Sequence, residues 1–220
     1  MNYEKKYLKY KNKYLQLKKQ TGGGDKVATA ATADTAATAA TAATADTAAK
    51  HDVDSKENIY KFTNIKQVKE LAKNIGNEKI NHITFDDNFN DDLLDLEDFI
   101  NLKTITFGNK FGNTERDTDG QTIQPLEKLI NLEELTFGEE FNLTLNGLER
   151  LTELKKITFG NKFNKSLRNG FPESLTELTL GKEFKGSLEP LEKLTKLTKL
   201  TLDKSFDKTL VPLKLLSKVV

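Results

Sequence analysis

Asp86, Asn88, Asn90, Asp92 and Glu97 stand at positions 1, 3, 5, 7 and 12 of a run whose spacing is that of a calcium-binding loop. The sixth position of such a loop needs glycine for a sharp turn, and here it is Asp91. Phe89, Leu93 and Leu96 interrupt the same run with apolar side chains. The run therefore reads as a solvated acidic turn. Other catalytic material is sparse. There are two histidines, His51 and His82, and no cysteine, which leaves no thiolate nucleophile, thiolate metal site or disulfide. Glu133, Glu134, Glu153, Glu177 and Asp95 are the carboxylates from which a glycosidase-like pair could be drawn. Nothing in their spacing makes them converge, and each is also an ordinary polar surface residue. The expectation is a chain that is not an enzyme and binds no metal or other cofactor. One set of residues does recur in order: Thr84, Thr106, Thr136, Thr158, Thr179 and Thr201.

Those threonines mark a repeat. They recur about every 22 residues, a fixed period of the kind that marks a stacked repeat architecture. The one longer step, from Thr106 to Thr136, contains an extra polar piece, GNTERDTDGQ, at 112–121. Around each threonine the pattern is an apolar residue, two variable residues, Ile or Leu, Thr, Phe or Leu, then Gly or Asp, two polar residues and Phe, as in LKKITFGNKF at 154–163. Further apolar residues follow at Leu93, Leu145, Leu167, Leu188 and Leu210. Side chains alternate faces along a strand, so Ile157 and Phe159 point inward and Thr158 outward. Successive strands, one per coil, then lie parallel at about 4.8 Å. Leu154, Ile157, Phe159, Phe163 and Leu167 fill one interior layer, with Gly160 marking the turn out of the strand. Leucines at steps of three in ERLTELKK and PLEKLTKLTK suit a short 3₁₀ or helical turn, or an irregular coil, more than a second long strand, and the many Lys and Glu favour short helical pieces on the outer side.

The outward strand positions form two columns. One is the threonine column. The other is His82, Thr104, Glu134, Lys156, Glu177 and Lys199, whose last four members alternate in sign across neighbouring strands. Opposite charges side by side stabilise a sheet modestly. The same face is the extended surface on which solenoids bind partners.

The rest of the chain divides by composition. Residues 1–20 read as a basic amphipathic helical leader in which Tyr3, Tyr7, Tyr10, Tyr14 and Leu17 share a stripe. Three glycines end it, and 21–58 is a Gly-then-Ala/Thr low-complexity linker that buries too little apolar area to order itself. Positions 1–50 carry nine lysines and four acids, net +5, and the rest of the chain carries net −4. No apolar run approaches the roughly 18 residues of a membrane span, and the N-terminus lacks the apolar centre of a signal peptide. An intracellular setting is expected. Residues 59–76 carry a helical pattern: Ile65, Val68, Leu71, Ala72 and Ile75 fall on one face, Thr63 or Asn64 can cap the start, and Gly76 suits the end. The open end of a stack needs a cover, so this helix is expected to lie across it against Ile80, Ile83 and Phe85.

The strings ITFDDNFN at 83–90, LTFGEEFN at 135–142 and ITFGNKFN at 157–164 resemble the FNIP repeat family, over residues 80–216. The Phe-Asn pair becomes Phe-Gly at 111–112, Phe-Lys at 184–185 and Phe-Asp at 206–207, and the Ile-Pro that ends the family's signature is absent. The leader YLKYKNKYLQLK is similar to one shared by proteins of mimivirus-type giant viruses. The resemblance implies a repeat solenoid over residues 77–220, a leucine-rich-repeat-like stack of about six 22-residue units with a parallel β-sheet, capped by an N-terminal helix. It implies protein–protein interaction with an unknown partner, a host protein being one candidate, and transfers no catalytic residue. The alternative from another class is a virion structural or packaging component acting through residues 1–20 on an anionic membrane or nucleic acid. The insert at 112–121 is the candidate specificity loop.

Overall fold

The computed structural model describes residues 59–113, 121–168 and 170–210. The leader with Tyr3, Tyr7, Tyr10, Tyr14 and Leu17, the linker up to residue 58 with His51, positions 114–120 of the insert and residues 211–220 lie outside the described residues. Every described element lies within the unit Ala48–Val220.

Seven strands form one parallel sheet in strict sequence order. They are β1 (Ile59–Phe62), β2 (His82–Phe85), β3 (Thr104–Thr106), β4 (Glu134–Thr136), β5 (Lys156–Thr158), β6 (Glu177–Thr179) and β7 (Lys199–Thr201). Such short strands suffice because each makes only one edge of a coil and the stack supplies the rest. Register is unbroken: Ile83 pairs with Ile105, Ile105 with Leu135, Leu135 with Ile157, Ile157 with Leu178 and Leu178 with Leu200. The longer step does not shift it, since β3 and β4 pair Thr104 with Glu134 and Thr106 with Thr136. The outer segments are 3₁₀ turns at Leu94–Leu96, Gln124–Lys128, Leu148–Arg150 and Glu189–Lys193, as the leucine spacing predicted. Pro125 and Pro190 sit in the first turn of two of them, where no internal donor is lost.

The interior is one continuous cluster, and the layer read from the sequence is buried throughout: Leu154, Ile157, Phe159, Phe163 and Leu167 are each at most 2% exposed. Fully burying each side chain is worth roughly 1.5–3 kcal/mol relative to leaving it exposed. The phenylalanines form a spine down the stack. Within a coil the two rings pack closely, with centroids 3.8 Å apart for Phe137 and Phe141 and 4.0 Å for Phe159 and Phe163. Between coils the equivalent rings are 5.4 Å apart for Phe137 and Phe159 and 6.0 Å for Phe141 and Phe163. Leu180 and Leu202 replace the first ring in the last two coils, and the spine continues through Phe163, Phe184 and Phe206 at 6.1 Å per step.

The glycine after each of β3 to β6 has a more demanding role than marking a turn. A β-carbon on Gly138 would lie 2.3 Å from the carbonyl oxygen of Gly108, and one on Gly160 the same distance from that of Gly138. From β3 to β6 these turns stack backbone on backbone, which leaves no room for a side chain at Gly108, Gly138, Gly160 or Gly181.

The N-terminal end differs from expectation. Residues 59–76 are not one helix. Ile59–Phe62 is β1, paired in parallel with β2, and the helix α1 runs from Ile65 to Ile75. Phe62 pairs with Phe85, so 59–62 is a degenerate strand of the repeat, with Lys61 where the threonine would be. The helix takes the outer position that 3₁₀ turns occupy in later coils. It is tied there to the next coil, where Asp91 Oδ2 accepts from Ile65 N at 3.1 Å and Lys69 Nζ meets Asp95 Oδ1 at 3.1 Å. The edge of the sheet is therefore a strand, and the helix does not lie across it as a lid. Its limits follow the predicted signals. Asn64 Oδ1 accepts from Gln67 N, Gln67 Oε1 accepts in return from Thr63 N, and Gly76 terminates the helix at φ 91°.

Candidate interaction face

The strand face presents the two expected columns. Thr84, Thr106, Thr136, Thr158 and Thr179 are half-buried and Thr201 is exposed, aligned by the register that pairs each with the next. In the other column, His82 Nδ1 lies 2.7 Å from Thr104 Oγ1. Glu134 Oε2 meets Lys156 Nζ at 3.6 Å, and Glu177 Oε2 meets Lys199 Nζ at 3.5 Å. The alternation of sign is thus realised as cross-strand pairs. These pairs are largely solvent-exposed, each worth no more than about 1 kcal/mol.

A third column, absent from the sequence reading, lies one residue before the strands. Glu133 bridges Lys103 Nζ at 3.5 Å and Lys155 Nζ at 3.2 Å, on the coils before and after it. The hydrogen bond from Lys155 is the main reason its carboxyl titrates below the usual range, and the charges of Lys155 and Lys103 act the same way. Further back, Asn101 Nδ2 donates to Glu78 O at 3.4 Å and Asn131 Nδ2 to Ile100 O at 2.9 Å. Together Glu78, Asn81, Asn101, Lys103, Asn131, Glu133 and Glu153 line a polar groove of about 410 Å³ on the side where the chain enters the strands. The sequence signal for it was the Ile-Asn dipeptide at 100–101 and 130–131, which recurs but lies outside the apolar pattern.

Of the five carboxylates only Glu133 and Glu153 share a site, the polar groove. Glu133, Glu134 and Glu177 sit in three separate cross-strand pairs, Asp95 pairs with Lys69, and Glu153 lies on the groove. The calcium-like run is likewise taken up by turns. Asp86 Oδ1 accepts from Asn88 N at 2.9 Å and Asp92 Oδ1 from Leu94 N at 3.0 Å, while Asn90 Oδ1 accepts from Gly112 N of the next coil at 3.3 Å. Burial holds the carboxyl of Asp92 above its ordinary range despite the bond from Leu94, and Asp95 and Asp91 add to the rise. Burial also raises Glu97, against the nearby Lys128 and with Asp98 and Glu127.

Asn90 belongs to a ladder that explains the Phe-Asn pair. Asn142 Oδ1 accepts from Asn164 N at 3.0 Å, and Asn164 Oδ1 accepts from Lys185 N at 3.0 Å. Each asparagine thus satisfies a backbone amide one coil on. Where the pair becomes Phe-Gly, Gly112 has φ 72°, a backbone that favours glycine, and its own carbonyl accepts from Asn142 N at 3.0 Å. Of the candidate specificity loop only its roots are described: Asn113, which donates to Glu140, and Gln121, which donates to Asn90 Oδ1 at 3.1 Å. No described helix is long and apolar enough to cross a membrane.

The FNIP Repeat family model matches residues 152–183 and 163–191, the region where the ladder and the glycine stack are most regular. No curated protein sequence matches the chain. Among solved structures, an internalin (inlF) from Listeria monocytogenes is 22% identical, with TM-score 0.49, covering 64% of this chain and 40% of that one. The circular leucine-rich-repeat protein CroV588 is 25% identical, with TM-score 0.45, covering 71% of this chain and 26% of that one. An internalin C2 (inlC2) from Listeria monocytogenes is 16% identical, with TM-score 0.42 and 73% and 77% coverage. The chain spans well under half the length of the first two. Parallel strands in sequence order, 3₁₀ outer turns, a glycine stack and an asparagine ladder make this a leucine-rich-repeat-like solenoid, similar to the FNIP repeat over residues 152–191.

Proposed function

We propose that this protein is a non-catalytic interaction scaffold that binds another protein across the outward strand face. One observation carries the reading: the aligned double column running from His82 and Thr84 to Lys199 and Thr201 over six paired strands. Short polar and alternating charged side chains on a rigid sheet recognise a partner by shape and charge, and rigidity keeps the entropic cost of binding low. His82, Thr84, Thr104, Thr106, Glu134, Thr136, Lys156, Thr158, Glu177, Thr179, Lys199 and Thr201 are the contact residues of this reading, with the 112–121 insert adding specificity beside them. The leader's similarity to those of giant-virus proteins supports a viral source, hence a host protein as partner and the host cytoplasm or the virion as the setting.

The test is affinity capture from host extract by the full chain, compared with a Thr136→Arg/Thr158→Arg variant. Two long cations at the centre of the face should abolish recovery of the captured protein while the melting temperature stays within a few degrees. Equal recovery by the variant would remove the strand face from the interaction. A second reading rests on the net charge of +5 over positions 1–50: the leader, with Tyr3, Tyr7, Tyr10, Tyr14 and Leu17 as contacts, binds weakly to an anionic membrane or nucleic acid in a virion. Removal of residues 1–20 would then abolish salt-sensitive binding to DNA or anionic vesicles and leave protein capture intact.

A further inference from the structure

Two residues that line the groove on the strand-entry side, Asn101 and Asn131, each follow an exposed isoleucine in the chain. Among the described residues three large hydrophobic side chains are exposed: Ile100 at 53%, Ile130 at 54% and Leu210 at 53%. Ile100 and Ile130 occupy the same position of successive coils, each directly before a groove asparagine, and Asn131 Nδ2 bonds to the carbonyl of Ile100. In the other coils the register places Glu78, Thr152, Glu173 and Thr195 there, all polar. Isolated exposed aliphatics are ordinary on a protein surface. Two adjacent ones, confined to the coils that frame a groove and absent from that position elsewhere, form a patch of the kind that marks interaction sites.

The charges decide what the groove takes. The Lys103 cation is matched by Glu133 at 3.5 Å, and Glu133 is matched again by Lys155 at 3.2 Å. Lys128, beside Ile130, lies 3.9 Å from Glu127. At the two ends of the groove stand Glu78 and Glu153, both exposed, and neither joins an ion pair among the described residues. They lie three coils apart, roughly 14 Å at the spacing of parallel strands, a span that an extended peptide crosses in about four residues.

We propose that this groove docks an extended, cationic segment of a partner protein, with one aliphatic side chain between Ile100 and Ile130 and two basic residues about four apart meeting Glu78 and Glu153. It rests on the reading that the solenoid binds protein and adds a surface separate from the strand columns. In such a segment alternate side chains face the same way, so Lys, Ile and Lys at every second position all reach the groove.

The probe is a fluorescein-labelled synthetic peptide of sequence GKSISKG, titrated with the full chain and followed by anisotropy. Saturable binding is expected, weakened at least fivefold by Ile100→Ser/Ile130→Ser and by Glu78→Gln/Glu153→Gln. It should be unchanged in Thr136→Arg/Thr158→Arg, which separates this site from the strand face. A GESISEG peptide and a GKSSSKG peptide should each bind at least fivefold more weakly. All four groove positions are exposed, so the variants should melt within a few degrees of the parent. No saturable binding, equal binding of the acidic peptide, or full affinity in the groove variants would each overturn the proposal. So would concentration-dependent self-association of the parent, abolished by Ile100→Ser/Ile130→Ser, since the occupant would then be a second copy. Loss of host-protein capture in Thr136→Arg/Thr158→Arg with peptide binding intact, or the reverse, tells the failure of one site from that of the other.

Discussion

Gly160 rests against Gly138 so closely that a β-carbon on the former would lie 2.3 Å from the carbonyl oxygen of the latter. The obstacle is backbone on both sides, with no flexible side chain to move. Gly160→Ala should therefore destabilise the protein by more than about 2 kcal/mol, the size expected of overpacking without relief. Denaturant unfolding followed by circular dichroism measures it, with Thr152→Ala on the exposed outer turn as a control expected within about 0.5 kcal/mol. Equal stability of the two variants would mean that the turns are not stacked as described.

Phe141 is fully buried in the middle of the aromatic spine, 3.8 Å by ring centroid from Phe137 and 6.0 Å from both Phe111 and Phe163. Phe141→Ala should cost about 3–5 kcal/mol. Phe206, half-buried at the last described step of the spine, should cost less than half as much when truncated, since less apolar area leaves water. Comparable losses at the two sites in the same unfolding experiment would contradict a stack that is tightest at its centre.

Asn142→Ala removes the acceptor of the Asn164 amide. The expected loss is about 1 kcal/mol, with faster amide hydrogen exchange at Asn164. Exchange at Lys185 should stay slow, because Asn164 Oδ1 still accepts from it. Unchanged protection at Asn164 would show that the ladder contributes nothing there.

Asp92 and Glu97 titrate above their ordinary range, chiefly through burial. A folded-state pKa raised above the unfolded value means that the neutral carboxyl is favoured on folding. The associated stability is present below the unfolded pKa and is lost as pH rises through the folded one. Asp92→Asn/Glu97→Gln, which keeps the groups neutral, should raise the melting temperature at pH 7 and change it little at pH 3. Glu133 behaves in the opposite sense: its lowered pKa is a stabilisation present at neutral pH and lost as pH falls through the folded value. Glu133→Gln should lower the melting temperature at pH 7, and high salt should shrink that difference because the group is exposed. Thermal melts at the two pH values decide both.

Much of this molecule is legible in one dimension, because a solenoid coil makes its contacts with the coil before and the coil after. The inward Ile157 and Phe159 and the outward Thr158 followed from strand alternation, and the helix cap at Asn64 and stop at Gly76 from short-range hydrogen bonding. The outer 3₁₀ turns followed from leucine spacing, and the sheet order from the repeat itself. What could not be read was whatever depends on how closely neighbouring coils approach. The glycine at 138 and 160 looked like turn chemistry, but backbone contact between coils imposes it. Ile59–Phe62 looked like the start of a helix, because its strand character comes from hydrogen bonding to β2 on the next coil and not from its own pattern. The groove lined by Asn101 and Asn131 was hidden for the same reason, since its walls come from residues of four different coils. Periodicity along the chain determined which residues face inward, and the stacking distance between coils, a property of no single repeat, decided which surfaces are left to bind.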